Sequence, residues 1–133
     1  MPHKIDPDSI QHIPLSYASC SIGCDASDTL PRKLKAIAEA GFNAIELNFQ
    51  DIAKFAAEIL GHEVSEGNYA ELVIAAGEIR NLCESHKLKI LMLQPFVNWE
   101  GWPHETIDYK DAVTRANGWI EVMNVVGTDM LQV

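Results

Sequence analysis

The chain has 133 residues, 47% apolar and 22% charged, with a formal net charge of −9. This length and balance suit one soluble globular domain with a sizeable core. The negative charge argues against a nucleic-acid backbone or an anionic membrane as partner. Cys20, Cys24 and Cys83 form no CxxC motif and leave an odd count, which reads as reduced thiols in a cytoplasmic protein. No apolar run approaches the ~18 residues of a membrane span, and the opening MPHKIDPDS has no signal-peptide core.

Residues 1–11 are polar, carry Pro2 and Pro7, and read as a flexible N-terminal arm ahead of a domain at 12–133. Ile13 to Cys20 (IPLSYASC) is the first expected strand, with Pro14 tolerable near its start. Ser21 to Asp28 is a turn-rich loop. Thr29 then caps a helix, since Pro31 suits a first turn whose N–H groups lack helical acceptors anyway. Leu30, Leu34, Ile37 and Ala38 fall at offsets 0, 4, 7 and 8, one face of that helix, and Gly41 closes it. Phe42 to Phe49 (FNAIELNF) is the second expected strand, so strand, helix and strand make a parallel βαβ unit.

Asp51 to Leu60 predicts a short helix ended by Gly61. His62 to Asn68 reads as a loop, and a longer helix follows over Tyr69 to His86, burying Leu72, Ala76, Ile79 and Cys83. His86 stands at its end, where positive charge suits the macrodipole. Ile90 to Leu93 are four consecutive apolar residues, the mark of a parallel strand buried on both faces. Gln94 and Pro95 stop it, since proline has no N–H for the ladder. The polar and aromatic stretch Val97 to His104 then has the composition of a site-forming loop. Within it, Glu100, His104 and Glu105 read as a solvated loop in preference to a weak metal site. The last helix is expected over Tyr109 to Val126, with Tyr109, Val113, Ala116, Ile120 and Met123 buried, Trp119 packing beside them, and Gly118 costing ~1 kcal/mol relative to alanine. A fourth strand is expected from residue 129. The order β-α-β-αα-β-α-β is that of an α/β fold with parallel strands.

Strand side chains alternate between faces. Ala44, Glu46 and Asn48 are thus expected on one face, as are Ile90, Met92 and Gln94, and Met130 with Gln132. Each strand places one polar residue, Glu46, Gln94 or Gln132, toward its carboxyl end. Buried, each needs partners or costs ~1–3 kcal/mol. They either line a polar pocket there or bond one another and nearby backbone.

GFNAIEL (41–47), LMLQPFVNWEGW (91–102) and WIEVMNVVGTDMLQV (119–133) resemble the xylose isomerase-like TIM barrels of the sugar phosphate isomerase/epimerase superfamily. Within it the chain is most similar to the fungal 3-dehydroshikimate dehydratases of quinate catabolism, over about Leu15 to Val133. The resemblance implies the first half of a (βα)8 barrel, with four parallel strands and three crossover helices. It implies a lyase that dehydrates 3-dehydroshikimate to protocatechuate, with a divalent ion (Mg, Mn, Co or Zn type) held by carboxylates and a histidine or glutamine from strands five to eight. On this likeness the chain holds no catalytic residue and no metal ligand. Its share is pocket wall, Glu46, Gln94, Phe96 and Gln132, with Trp99 over the mouth. Bacterial relatives often carry a substrate-binding arginine just after Gln-Pro-Phe, a position occupied here by Val97.

Two strand edges and an uncovered inward face are then expected, so the chain alone aggregates, folds poorly or pairs as a homodimer, and is inactive. The alternatives are a fragment of a sugar isomerase/epimerase of the same superfamily, a self-associating non-catalytic half-barrel, or an independent flavodoxin-like domain. Against the last, SIGCDASD after the first strand has one glycine and neither GxGxxG nor GKS/T.

Overall fold

The structure, a computed structural model, describes residue 8 and residues 11–133; the expected arm at residues 1–11 lies outside the described residues except for Asp8 and Gln11. Among the described residues the elements are β1 (Ser16–Ala18), a 3-10 turn (Ser19–Ser21), α1 (Leu30–Glu39), β2 (Ala44–Asn48), α2 (Phe49–Leu60), α3 (Tyr69–Ser85), β3 (Lys89–Gln94) and α4 (Ile107–Val126). The sheet has three strands in the order β1-β2-β3, all parallel. A fourth strand does not form. Residues 130–132 make one parallel bridge, Leu93 to Leu131. It is held by Leu93 N–H to Met130 O at 3.0 Å, Gln132 N–H to Leu93 O at 3.0 Å and Phe96 N–H to Gln132 O at 2.9 Å. One bridging pair gives neighbouring-strand geometry without the run of pairs that makes a strand.

The other boundaries move for local reasons. Strand one stops at Ala18 because the Ser19 carbonyl turns to the Lys33 ammonium, 3.2 Å away. Strand two stops at Asn48, whose side-chain oxygen accepts the Gln50 N–H at 2.9 Å and so caps α2. Phe49, expected in the strand, therefore opens the helix. Thr29 stands at the N-cap of α1 but its side chain makes no capping bond; its carbonyl accepts the Lys33 N–H instead. Gly61 and Gly127 end α2 and α4 in the left-handed conformation (φ 76° and 83°) that glycine adopts without strain.

The helices cover one side of the sheet. Leu34, Ile37, Ile45, Leu47, Ile52, Leu72, Ile79, Leu93 and Val122 are completely buried there. The α3 stripe is as expected, Leu72, Ala76, Ile79 and Cys83, joined by Ala75. The α4 stripe is rotated. Val113 and Ile120 face solvent, and Ala112, Gly118, Trp119, Val122, Met123 and Val126 are buried. The rotation is fixed by aromatic packing: Trp119 stacks on Phe49 (centroids 4.0 Å apart, 5° between planes) and meets Phe96 edge-on at 5.1 Å. Trp119 is a packing residue. No helix among the described residues is long and apolar enough to cross a membrane.

The sheet carries one irregularity. Ile45 pairs with Ile90 but Glu46 pairs with Met92, so Leu91 is an extra residue in β3. Its carbonyl is satisfied by the Thr128 hydroxyl at 2.8 Å. Ile90 therefore turns to the helix side with Ile45, while Met92 and Gln94 turn to the opposite face with Glu46 and Asn48. The expected sharing of a face by Ile90, Met92 and Gln94 fails at Ile90 for this reason. Nor is β3 buried on both faces, since Leu91 and Met92 are only half-buried.

Gly118 packs beneath the Tyr69 ring so closely that a Cβ would collide with it. Helix propensity alone would make Gly118→Ala stabilising by ~1 kcal/mol. We expect the opposite in urea unfolding, a loss of about 1–3 kcal/mol from overpacking; a variant as stable as the parent or more so would contradict the packing.

Candidate functional site

The face of the sheet away from the helices is the candidate site. By register it carries Ser16 and Ala18 from β1, Ala44, Glu46 and Asn48 from β2, and Met92 and Gln94 from β3. Leu131 pairs with Leu93 on the helix side, which turns Met130 and Gln132 to the same open face. Glu46 and Gln94, toward the carboxyl ends of β2 and β3, and Gln132, in the bridged segment beside β3, are thus brought to one side. Gln94 is buried and its amide donates to Cys20 Sγ at 3.7 Å. Glu46 is half-buried, and its carboxylate has no hydrogen-bond or ion-pair partner among the described residues. Gln132 is exposed. Nearer the amino end of the face, Ser16 Oγ is buried and has no partner among the described residues. Such a face offers a carboxylate, two glutamine amides and a hydroxyl, the groups that recognise a small hydroxylated ligand.

Phe96 and Trp99 are placed differently. Gln94–Pro95 is a cis peptide, and the chain then turns Phe96 into the helix-side core, where it packs on Trp119. Trp99 is 42% exposed in the loop that leaves the carboxyl end of β3. Glu100, His104 and Glu105 are exposed in the same loop, the His104 ring lying 4.7 Å from Tyr109.

A polar network that the sequence reading missed lies behind the open face. Lys33 Nζ is 3.0 Å from Asp51 Oδ1 and 3.2 Å from the Ser19 carbonyl. Ser19 Oγ donates to Asp51 Oδ2 at 2.7 Å and accepts the Asn48 N–H at 2.9 Å. Ser19, Lys33 and Asp51 are all buried. The network joins the ends of β1 and β2 to the first turns of α1 and α2, and so fixes the backbone two residues from Glu46. The one sequence signal was a lysine between Leu30 and Leu34 on an otherwise apolar helix face.

The thiols separate by burial. Cys20 and Cys24 are exposed and Cys83 is buried. Burial, with a smaller contribution from the Glu84 charge, pushes the Cys83 thiol up to about 12. Among the described residues no three His, Cys, Asp or Glu side chains come close enough together to hold a metal ion. The divalent ion implied by the resemblance therefore does not fit a ligand set in these residues.

The chain has the parallel βα sheet, one face under helices and the other open and polar, from which βα barrels are built. Its fold matches a solved xylose isomerase-like TIM barrel/4-hydroxyphenylpyruvate dioxygenase fusion protein with a TM-score of 0.62 and 28% identity, over 87% of this chain and 15% of that one. The particular likeness is to 3-dehydroshikimate dehydratase. The chain is 30% identical over 122 residues to that enzyme from Neurospora crassa, covering 90% of this chain and 34% of the enzyme. It is 33% identical over 107 residues to the one from Pseudomonas aeruginosa, covering 80% and 14%. The chain thus spans about a third or less of the proteins it resembles. No family profile matches it.

Two measurements check this geometry. Lys33→Met leaves Asp51 as a buried unpaired charge and should cost about 3–5 kcal/mol, whereas Lys33→Met with Asp51→Leu should recover much of that loss. Equal costs for the single and double variants in chemical unfolding would show that the pair is not held away from solvent. In native protein near neutral pH, Cys20 and Cys24 should react with Ellman's reagent while Cys83 reacts only on unfolding. Because the Cys83 value is raised from 9.0 to about 12, its contribution to stability is complete below 9 and lost as the pH rises through about 12. Three equally fast native thiols would refute that assignment.

Proposed function

We propose that the chain forms part of the substrate wall of a lyase of the 3-dehydroshikimate dehydratase type. The observation that carries this reading is the likeness to such dehydratases over 90% of the chain. The open face supports it, since Glu46, Gln94 and Gln132 lie on one side of it and carry groups that suit a polyhydroxylated cyclic acid. In the dehydration an α-proton leaves to a base, water departs, and protocatechuate forms. Within this reading the two amides bond substrate hydroxyls or its carbonyl. Glu46 accepts from a hydroxyl and holds the ring in orientation.

One carboxylate on this face does not supply both proton removal and carbonyl polarisation. The purified chain is therefore expected to form no protocatechuate with Mg2+, Mn2+, Co2+ or Zn2+. Turnover by the chain alone, followed by protocatechuate absorbance, would overturn the assignment of these residues to a wall only. Binding is the direct test. Adding 3-dehydroshikimate to isotope-labelled chain should shift the amide signals of Glu46, Gln94 and Gln132. Glu46→Gln and Gln94→Ala should each weaken it by about 1 kcal/mol, a factor of several in Kd. The xylose isomerase-like neighbour favours a second reading, part of a sugar isomerase/epimerase. A ketose that shifts the same signals while 3-dehydroshikimate does not would select it.

A further inference from the structure

The loop that leaves β3 is held from outside. Arg115, two turns into α4, donates from Nη1 to the Val97 carbonyl at 2.9 Å and from Nη2 to the Asn98 carbonyl at 2.7 Å. Its Nε donates to Asp111 Oδ2 at 2.7 Å, and its guanidinium carbon stands 5.2 Å from the centroid of the Phe96 ring. The Asn98 carbonyl accepts a second bond, from Trp102 Nε1 at 3.1 Å. Asn98 itself is in the left-handed region (φ 56°), the conformation that lets two consecutive carbonyls be gripped by one planar fork. The Arg115 side chain is 27% exposed, so the clamp is partly shielded from water, where charge-assisted bonds count for more.

The contacts divide the work. The Asp111 bond, one turn earlier on the same helix, fixes the guanidinium. The Phe96 ring supports its face. The two Nη groups are left to set the loop. We propose that Arg115 is a positioning residue for the mouth of the site: by gripping Val97 and Asn98 it fixes where the loop carries Trp99. The position after Phe96, Val97, is thus served by an arginine through its backbone carbonyl, with no charged side chain of its own. The functional part of this inference rests on the proposed substrate wall; the clamp itself is measured without any ligand.

The test uses the 133-residue chain labelled with 5-fluorotryptophan, in which Trp99, Trp102 and Trp119 report separately. Lysine keeps the charge but cannot grip two carbonyls with a planar fork. In Arg115→Lys the Trp99 and Trp102 signals should move, and acrylamide quenching of the exposed tryptophans should roughly double as the loop loosens. The Trp119 signal and the urea midpoint should change little. Trp99 and Trp102 signals identical to the parent's would overturn the proposal. Should Arg115→Lys fail to fold, Asp111→Asn and hydrogen exchange at Arg115 Nε–H in the parent take its place. The proposal requires loop loosening in the former and a slowly exchanging proton in the latter, and a fast one would sink it. Where the parent binds 3-dehydroshikimate, Arg115→Lys should raise Kd by about tenfold. No binding by the parent counts against the substrate wall alone, and the tryptophan signals still decide Arg115.

Discussion

The buried bond between Lys33 and Asp51 is the constraint on which the rest of the structure depends. Two charges removed from water need close partners, and here each has them: Lys33 holds the Ser19 carbonyl, and Asp51 accepts from the Ser19 hydroxyl. Asp51 also sits in the first turn of α2, where the helix dipole favours a negative charge. Ser19 is the hub, because one hydroxyl donates to Asp51 and accepts from the Asn48 N–H. The ends of β1 and β2 and the starts of α1 and α2 are thereby locked together. β1 is short because its next residue belongs to this network and not to the ladder.

The extra residue at Leu91 has the second-largest consequence. A one-residue slip exchanges the faces of a strand. Here it sends Ile90 to the helices and leaves Met92 and Gln94 facing outward beside Glu46. The Thr128 hydroxyl stabilises the slip by satisfying the Leu91 carbonyl, and Thr128 also leads the chain back alongside β3. One side of the sheet becomes a packed apolar layer under four helices, the other an open polar surface. Under the proposed function that open surface is the substrate wall, since βα barrels bind their ligands at the inner face near the strand carboxyl ends.

The aromatic cluster Phe49, Phe96 and Trp119 links these two features. It draws the residue after the cis proline into the core, so the loop beyond begins from a fixed point. Phe96 is consequently a packing residue and a platform for Arg115, while Trp99 remains exposed on the loop.

The sequence by itself determined what depends on neighbours along the chain. Apolar spacing and glycine stops placed α1, α2 and α3 within a few residues. The four-residue apolar run placed β3, and the alternation of strands and helices gave the parallel α/β class. Alternation also put Glu46, Gln94 and Gln132 on one side. What it could not determine depends on partners far apart in the chain. The α4 periodicity fits two adjacent stripes, and only the rings of Phe49 and Phe96 select the one that is buried. Lys33 has no partner legible near it in the chain, and Asp51, eighteen positions away, reaches it only in the folded structure. The slip at Leu91 and the grip of Arg115 on Val97 and Asn98 likewise arise only when separate segments meet. In each case a local pattern allowed more than one outcome, and a non-local bond or contact chose among them.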